Sequence, residues 1–240
     1  MENTTFRYNL FLSLFLFGVV CGLTLTVLST WADLEAANYG FIRRAKGGLT
    51  GFRCPVLMTK GETNVISIKV TNSTDGKLSP AIRTALSSPT TIFEFTDFVE
   101  LQPGESATKE WAIGPENVDL KHFIFADVLV YASYPIRDRE ETCGIYIVGM
   151  PGKGVFYTWG LVVLSLLGMG GGLNGLNQLK DEDGSGKNTA RQLVFLTIVI
   201  VLGFITVFMG WWIQGILTLV ISLLFILITS GFMISSMRDS

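Results

Sequence analysis

The amino-acid sequence predicts an integral membrane protein with four transmembrane helices and an all-β domain inserted between helices 1 and 2. Three observations lead to this fold class. The 240 residues are 49% hydrophobic and only 16% charged, which is far from the composition of an ordinary soluble protein. The apolar residues concentrate in long blocks that contain no charged side chain. Between the first two blocks, apolar and polar residues alternate as they do in half-buried strands.

The uncharged blocks at 8–32, 154–179 and 192–237 predict the helices. About 20 apolar residues are enough to cross the hydrocarbon of a bilayer, so each of the first two blocks supplies one span. The third block is long enough for two spans, and its "GWWIQG" stretch indicates an interfacial turn because Trp favours the headgroup boundary. We therefore expect transmembrane helices at 1–32, 154–179, 192–212 and 215–237, with Trp31, Trp159, Trp211 and Trp212 as interfacial anchors.

The first block is expected to be a retained anchor rather than a removable signal peptide. A signal peptide has an apolar core of about 7 to 15 residues, whereas the apolar stretch here is longer. Cys21 follows Val20, where a lipoprotein site would have a small residue. We therefore interpret Cys21 as a buried apolar cysteine.

The segment 33–153 is predicted to be an exported linker followed by a β domain. Alternation with a period of two is clear in "NVISIKVT" and recurs in "TIFEFTDFVEL" and "ATKEWAIG". Turn sequences such as "NSTDGK" and "QPGES" separate these stretches. Together they indicate about seven strands at the spacing of a β-sandwich.

The order "GE…ISIKVTN…VELQPGES…KEWAI" resembles the small immunoglobulin-like or fibronectin-like sandwiches of bacterial and archaeal envelope proteins. The resemblance covers about residues 50–148 and implies an all-β Ig-like sandwich, with no catalytic residues. In such sandwiches the terminal strands commonly lie side by side, which makes Cys54 and Cys143 a candidate disulfide. Two unpaired core thiols are the alternative.

Membrane orientation is predicted from basic residues and from the signs of export. Five basic residues flank the spans on the side of the termini and four on the side of the β domain, an excess that favours termini inside. The candidate disulfide agrees with an exported domain, as does the sequon at Asn72, a candidate glycosylation site. We expect a multi-pass protein of the plasma membrane, with both termini and the 180–191 loop cytoplasmic and the β domain outside.

Two further stretches have alternative interpretations. Gly168, Gly171, Gly172 and Gly175 predict a helix-packing seam, since residues four apart form a smooth helix face. That seam could lie within this chain or against a partner subunit. The stretch "FIRRAKGG" could bind lipid headgroups through Arg43, Arg44 and Lys46, or could be a solvated linker.

The expected function is that of a non-catalytic accessory or scaffold subunit of a larger membrane complex. The uncharged blocks of the predicted spans contain no Asp, Glu, Lys, Arg or His, which excludes a proton relay or voltage sensor built by these spans alone. His122 is the single histidine, and Asp138 and Glu140 lie on an expected turn, so no catalytic, cofactor or metal site is predicted. The β domain would dock other membrane subunits or a soluble exported protein, with the bilayer as a further partner and no nucleic acid.

Two alternatives belong to other functional classes. One span, an exported domain and then three spans is the order of the membrane subunits of mechanotransmitting ABC-type systems, which this chain resembles in topology. A free-standing envelope adhesion or sensing receptor is the second alternative.

Overall fold

A computed structural model of the chain describes residues 2–41, 45, 48–131, 137–183 and 187–238. The described residues form four α-helices, seven strands and a short 3₁₀ turn at Pro115–Asn117. In chain order the helices and strands are α1 Glu2–Asn38, β1 Leu57–Thr59, β2 Asn64–Thr71, β3 Ala81–Leu86, β4 Phe93–Phe98, β5 Ser106–Ile113, β6 Phe123–Tyr131, β7 Arg139–Val148, α2 Gly154–Asp183, α3 Lys187–Met209 and α4 Trp212–Arg238.

The chain divides into two compact units. The helical unit comprises Met1–Thr30 and Thr158–Ser240, and the β unit comprises Trp31–Tyr157. Helix α1 therefore contributes its last turns to the β unit, and α2 contributes its first residues.

The helical unit contains the apolar helices. Among the described residues, Phe6–Asn38, Gly154–Leu179 and Gln192–Met209 are long and apolar enough to cross a membrane. The apolar stretch Trp212–Ile228 of α4 is shorter. By length and composition, this part of the chain is therefore compatible with a membrane protein.

The β unit is built from a five-stranded sheet in the order β1-β7-β6-β3-β4 and a two-stranded antiparallel sheet of β2 and β5. Strand β1 runs parallel to β7, whereas the other pairs are antiparallel. The core lies between the sheets, because Ile66 and Ile113 of the small sheet share one buried cluster with Ile124 and Ile145 of the large one. Alternation along "NVISIKVT" accounts for β2, whose Ile66 and Ile68 are fully buried.

The predicted fold class, four transmembrane helices around an all-β Ig-like sandwich, is wrong in its arrangement. The described part of the chain has three helices of spanning length, not four, and its strands form a mixed sheet with a parallel edge pair. Helix α1 also runs six residues past the expected end at 32 and leads directly into the β unit. The reason is tertiary: Ala32 and Ala36 are buried in one cluster with sheet residues, so the acidic residues after 32 do not end the helix.

The predicted boundaries differ elsewhere as well. Helix α2 begins at the expected Gly154 but continues to Asp183, and α3 already begins at Lys187, so the expected 180–191 loop is largely helical. Residues 184–186 lie outside the described residues.

Candidate interaction surface

Cys54 and Cys143 form a disulfide, with Cα atoms 6.6 Å apart. Cys143 lies in β7 within the core, and Cys54 lies in the segment before β1. That segment also pairs with β2, since Arg53 N donates to Ser67 O at 2.8 Å. The disulfide thus joins the segment before β1 to strand β7, 89 residues later in the sequence. Cys21 is a free, buried cysteine.

The end of α1 packs against the outer face of the five-stranded sheet. Ala32, Ala36 and Phe41 form a buried cluster with Phe123 and Phe125, among others. The approach is close at Gly144 of β7, where an added Cβ would lie 2.0 Å from the Ala32 carbonyl oxygen.

An acidic side chain supports the same contact. Asp33 Oδ1 accepts a hydrogen bond from Gly144 N at 2.8 Å, which satisfies a strand N–H beyond the reach of the three-residue β1. A glycine at 144 is therefore needed for backbone contact between helix and strand.

Tyr39, the first residue after α1, contacts Asp119 and Phe125 of the β unit. Its hydroxyl donates to Asp119 Oδ2, and its ring lies 4.9 Å from the Phe125 ring. The hydrogen bond to the Asp119 carboxylate, together with burial and the charge of that carboxylate, raises the pKa of Tyr39 to about 12. Asp119 Oδ1 also accepts from Leu120 N, in a turn where Leu120 and Lys121 both have positive φ angles.

Glu62 holds the start of α2. Its Oε2 accepts from Gly154 N and from Thr59 N, both at 2.8 Å. Thr59 Oγ1 donates to the Gly152 carbonyl, which fixes the connection between β7 and α2. A carboxylate at the first helical N–H is favourable because these groups lack partners within the helix and carry partial positive charge. Hydrogen bonds within the β unit therefore hold both the end of α1 and the first residues of α2.

The predicted glycine seam lies against α1 of the same chain. An added Cβ at Gly168 would come 2.8 Å from Gly18 Cα, and one at Gly172 would come 2.6 Å from Phe15 Cβ. At Gly175 the added Cβ would lie 2.2 Å from Phe11 Cδ1, and at Gly171 it would lie 3.3 Å from a Leu14 methyl group. The intrachain alternative thus accounts for all four glycines.

The matching glycines of α1 were missed by sequence reasoning. An added Cβ at Gly18 would lie 2.5 Å from Met169 N, and one at Gly22 would lie 2.5 Å from a methyl group of Ile200. The signal was present, because "GVVCG" spaces two glycines four apart, as in a helix-packing motif.

The four predicted interfacial tryptophans have different surroundings. Trp31 belongs to the β unit, where its ring lies 5.3 Å from Phe123 and its Nε1 donates to Glu35. The other three belong to the helical unit. Trp159 stacks on Phe208 at 5.5 Å, Trp211 is half exposed after the tight turn, and Trp212 begins α4.

The candidate glycosylation site has a structural explanation. Asn72 is fully buried, and its Nδ2 donates to the carbonyls of Gly76 and Leu101. Its Oδ1 accepts from the backbone N–H and the hydroxyl of Thr74. A glycan on Nδ2 of the folded domain would disrupt this network, so the Asn72 sequence pattern is accounted for by a turn.

The polar residues weighed as catalytic candidates also have structural surroundings. His122 is exposed and stacks on Tyr146, with ring centroids 6.1 Å apart. Glu140 is buried and accepts from Ala45 N at 2.7 Å, while Asp138 lies just before β7. Within the described residues, no three His, Cys, Asp or Glu side chains are grouped so as to hold a metal ion. Arg43, Arg44 and Lys46 lie outside the described residues.

Among the strands of the described residues, β4 is the one that has no buried residue. It is the last strand of the five-stranded sheet, and β3 is its only strand neighbour among the described residues. Phe98 is 75% exposed and Phe93 47% exposed. Phe93, Phe95 and Asp97 alternate onto the face opposite Phe98, with Phe93 as the first residue of the strand. On that face Phe95 packs on the core and Asp97 Oδ2 accepts from Trp111 Nε1 at 3.1 Å. We call Phe93–Phe98, with its open backbone edge, the β4 edge.

The β4 edge is at the other end of the sheet from β1 and β7, although the buried cluster at the end of α1 also includes Ala85 of β3. Ala32 and Asp33 of α1 contact Gly144 of β7, and Gly154 of α2 lies against Leu57 of β1. In the sheet order, β1 and β7 are at one edge and β4 at the other. With about 4.8 Å between neighbouring strands, β1 and β4 are separated by roughly 19 Å.

No family model matches the chain, and no curated protein does either. Solved structures give partial similarities. A β-glucuronidase of Bacteroides uniformis is 13% identical over 39% of this chain and 12% of its own, with a TM-score of 0.30. A cycloisomaltooligosaccharide glucanotransferase of Paenibacillus sp. is 15% identical over 45% of this chain and 15% of its own, with a TM-score of 0.34.

Red sea bream transglutaminase is 11% identical over 46% of this chain and 17% of its own, again with a TM-score of 0.34. This chain therefore spans only a small part of each of these solved chains. Similarities of this extent carry no argument about fold or activity, so the function is argued from the residues of the chain itself.

Proposed function

We propose that this protein is a membrane-anchored, non-catalytic accessory subunit that docks a partner subunit along the β4 edge. The observation that carries the proposal is this edge: a strand with an open backbone and two exposed phenylalanines, on the side of the sheet away from the helix attachments. Proteins usually protect such edges, because unpaired N–H and C=O groups are a template for another strand.

The residues of β4 support an extended strand of the partner as the occupant. The sequence "FEFTDF" contains neither the lysine nor the proline that commonly blocks an edge strand. A strand added to β4 would pair with its backbone and place alternate side chains beside Phe98. The acidic Glu94 is exposed on β4, so an occupant with apolar and basic residues fits best.

The attachment of the helices supports a scaffold role. Glu62 holds the start of α2 through its hydrogen bond from Gly154 N. At the end of α1, Asp33 accepts from Gly144 N, and the Tyr39 hydroxyl donates to Asp119. These hydrogen bonds order the ends of the β unit before a partner binds, so less conformational entropy is lost there on binding.

The proposed location is the plasma membrane, with both termini inside and the β unit outside. The Cys54–Cys143 disulfide supports this orientation, because disulfides persist in oxidising compartments and are rare in the cytosol.

The test is extraction of the full chain in mild detergent, followed by native-gel sizing and mass-spectrometric identification of co-migrating proteins. The Phe98→Lys variant should lower the amount of the specific partner that co-migrates with the chain at least tenfold, because it places a charge at the docking edge. Val65→Lys is the matched control, since Val65 is an exposed apolar residue of β2.

Two outcomes would overturn the docking part of the proposal. The first is a chain that migrates alone or only with itself, which would favour a free-standing receptor. The second is a partner that is retained equally by Phe98→Lys and Val65→Lys. Substrate turnover by the purified chain would refute the non-catalytic part.

A further inference from the structure

Lysine and aromatic side chains gather at the corner of the β unit where α1 ends and α2 begins. We define the attachment corner as Trp31, Lys60, Lys121, His122, Tyr146 and Lys153. All six residues are at least partly exposed. We infer that the attachment corner contacts the lipid headgroups of an anionic bilayer and holds the β unit against the membrane surface. This inference rests on membrane insertion of the apolar helices and does not depend on the partner proposed for β4.

Backbone hydrogen bonds gather the corner around the end of β7. Ile147 N donates to His122 O at 2.8 Å, and Lys60 N donates to Val148 O at 3.1 Å. The Thr59 hydroxyl donates to Gly152 O, which places Lys153 beside the β1–β2 turn. The three lysines therefore surround the same strand end.

Chain continuity identifies what faces this corner. The uncharged block of α1 ends at residue 32, one residue after Trp31, and the uncharged block of α2 begins at Gly154, one residue after Lys153. Both apolar segments thus meet the β unit at the corner. Residues that directly flank a membrane-spanning segment lie at the level of the headgroups.

The aromatic residues of the corner suit that level. The Trp31 ring lies 5.9 Å from the Tyr146 ring, and the His122 ring stacks on Tyr146 at 6.1 Å. Amphipathic rings of this kind are enriched at membrane interfaces, where one part is apolar and the other contacts water.

The lysines of the corner are available for phosphate. No described acidic residue forms an ion pair with Lys60, Lys121 or Lys153. In contrast, Lys77 and Lys109, elsewhere in the β unit, pair with Glu100 and Asp97.

The acidic groups nearest the corner are directed to other donors. Glu35 accepts from Trp31 Nε1, within the corner itself. Glu62 accepts from Gly154 N, Asp33 from Gly144 N, and Asp119 from the Tyr39 hydroxyl. Juxtamembrane lysines contribute about 1 kcal/mol each near an anionic surface, because lipid phosphates and anionic headgroups attract them. Unpaired lysines beside interfacial aromatics therefore match an anionic headgroup layer.

The experiment uses the full chain in nanodiscs with the Cys54–Cys143 disulfide intact and with Cys21→Ala to remove the free thiol. A fluorophore is attached at Lys121→Cys or, as the control, at Glu94→Cys on β4. A lipid with a nitroxide on its headgroup is the quencher. We expect quenching at position 121 to exceed that at position 94 at least threefold.

Charge dependence is tested with the label at position 121. Replacing one third of the phosphatidylcholine by phosphatidylglycerol should increase the quenching. Lys60→Gln with Lys153→Gln should abolish that increase, whereas Lys69→Gln with Lys109→Gln, on the β2–β5 sheet, should leave it unchanged.

Equal quenching at positions 121 and 94 would overturn the inference, as would an increase that survives in the Lys60/Lys153 variant. Neither result would bear on β4, because the nanodiscs contain no partner. Retention of a partner by Phe98→Lys would in turn overturn the docking proposal while leaving the headgroup contact standing.

Discussion

The contacts inside the β unit differ in kind from the contacts inside the helical unit. In the β unit, fully buried side chains such as Ile66, Ile124 and Phe125 fill the space between and beside the sheets. Buried polar groups there bond to partners distant in sequence, as the Ser87 hydroxyl does with the Asn117 carbonyl. The helical unit instead brings α1 and α2 together at glycines.

Polar groups follow the same division. In the helical unit, the hydroxyls of Thr26, Thr206 and Ser222 are buried and donate to carbonyls of their own helices. Large apolar residues such as Leu167 and Leu223 are exposed. Hydroxyls bonded in this way add no directional tie between helices, which leaves close packing as the main contact.

The difference follows from the solvent that each unit is suited to. In water, burial of apolar side chains drives folding, so the large residues lie inside. In lipid, an exposed leucine costs nothing, and helices associate through close van der Waals contact at small residues. The following substitutions test this comparison, beginning with the largest expected effect.

Removal of the disulfide should affect only the β unit. In Cys54→Ser with Cys143→Ser, we expect a loss of about 4 kcal/mol in the free energy of unfolding, because a long closed loop no longer restricts the unfolded chain. The measurement is denaturant titration of the full chain in detergent, with hydrogen exchange of the β-strand amides as the local readout. Cys21→Ser is the control, and equal protection in both variants would contradict the prediction.

Gly144→Ala should destabilise the β unit by about 3 kcal/mol, the upper range for overpacking. The added Cβ would lie 2.0 Å from the Ala32 carbonyl oxygen, a backbone atom that cannot turn aside. Thermal unfolding and amide exchange of β7 provide the measurement. Gly149→Ala is the matched control, because nothing lies within 4 Å of its added Cβ. A result equal to the control would mean that α1 does not touch β7.

Gly172→Ala should cost the helical unit less, about 1 kcal/mol. The added Cβ would lie 2.6 Å from Phe15 Cβ, but alanine regains up to about 1 kcal/mol of helix propensity, which offsets part of the overpacking. Gly170→Ala, with open space around its Cβ, should be stabilising. Thermal stability in detergent distinguishes the two, and the same sign for both would contradict α1–α2 contact at this position.

Tyr39→Phe should have the smallest effect at neutral pH, about 1 kcal/mol for one lost hydrogen bond. The pKa of Tyr39 is raised in the folded state to about 12, above the ordinary value of 10. The native state therefore holds this proton more tightly, so the stability contribution is fully present below pH 10 and is lost as the pH rises towards 12.

The measurement for Tyr39 is the pH dependence of unfolding in the parent chain and in Tyr39→Phe. Subtracting the two curves isolates Tyr39 from the other alkaline titrations. A difference that stays constant between pH 9 and 12 would contradict the hydrogen bond to Asp119.

Particular residues show how far the sequence could predict the fold and the candidate site. The alternation in "NVISIKVT" covers the same residues as β2, and the uncharged block beginning at Gly154 coincides with the start of α2. Both are local patterns, carried by neighbours along the chain. The parallel pairing of β1 with β7 had no local signal in the sequence. All three residues of β1 are buried, so they show no alternation, and nothing in them indicates which strand they pair with or in which direction.

The candidate surfaces show the same limit. Phe93 and Phe98 were assigned to a strand, but alternation does not tell an edge strand from a central one. Lys60, Lys121 and Lys153 are isolated in sequence and meet only around the end of β7. Gly18 and Gly22 could have been found from their spacing, whereas Glu62 as the cap of Gly154, 92 residues away, could not.

By itself, the sequence determined which stretches are apolar enough for lipid, which alternate as strands, and which glycines leave a smooth helix face. These properties depend on residues within one or two turns of each other, where periodicity dictates which face each side chain takes. Only the tertiary structure decided that α1 continues past residue 32 onto the sheet and that β4 is left at an open edge. Those outcomes depend on contacts between residues far apart in sequence, such as Leu86 with Ala126 and Asp33 with Gly144, whose free energy exists only once the chain has folded.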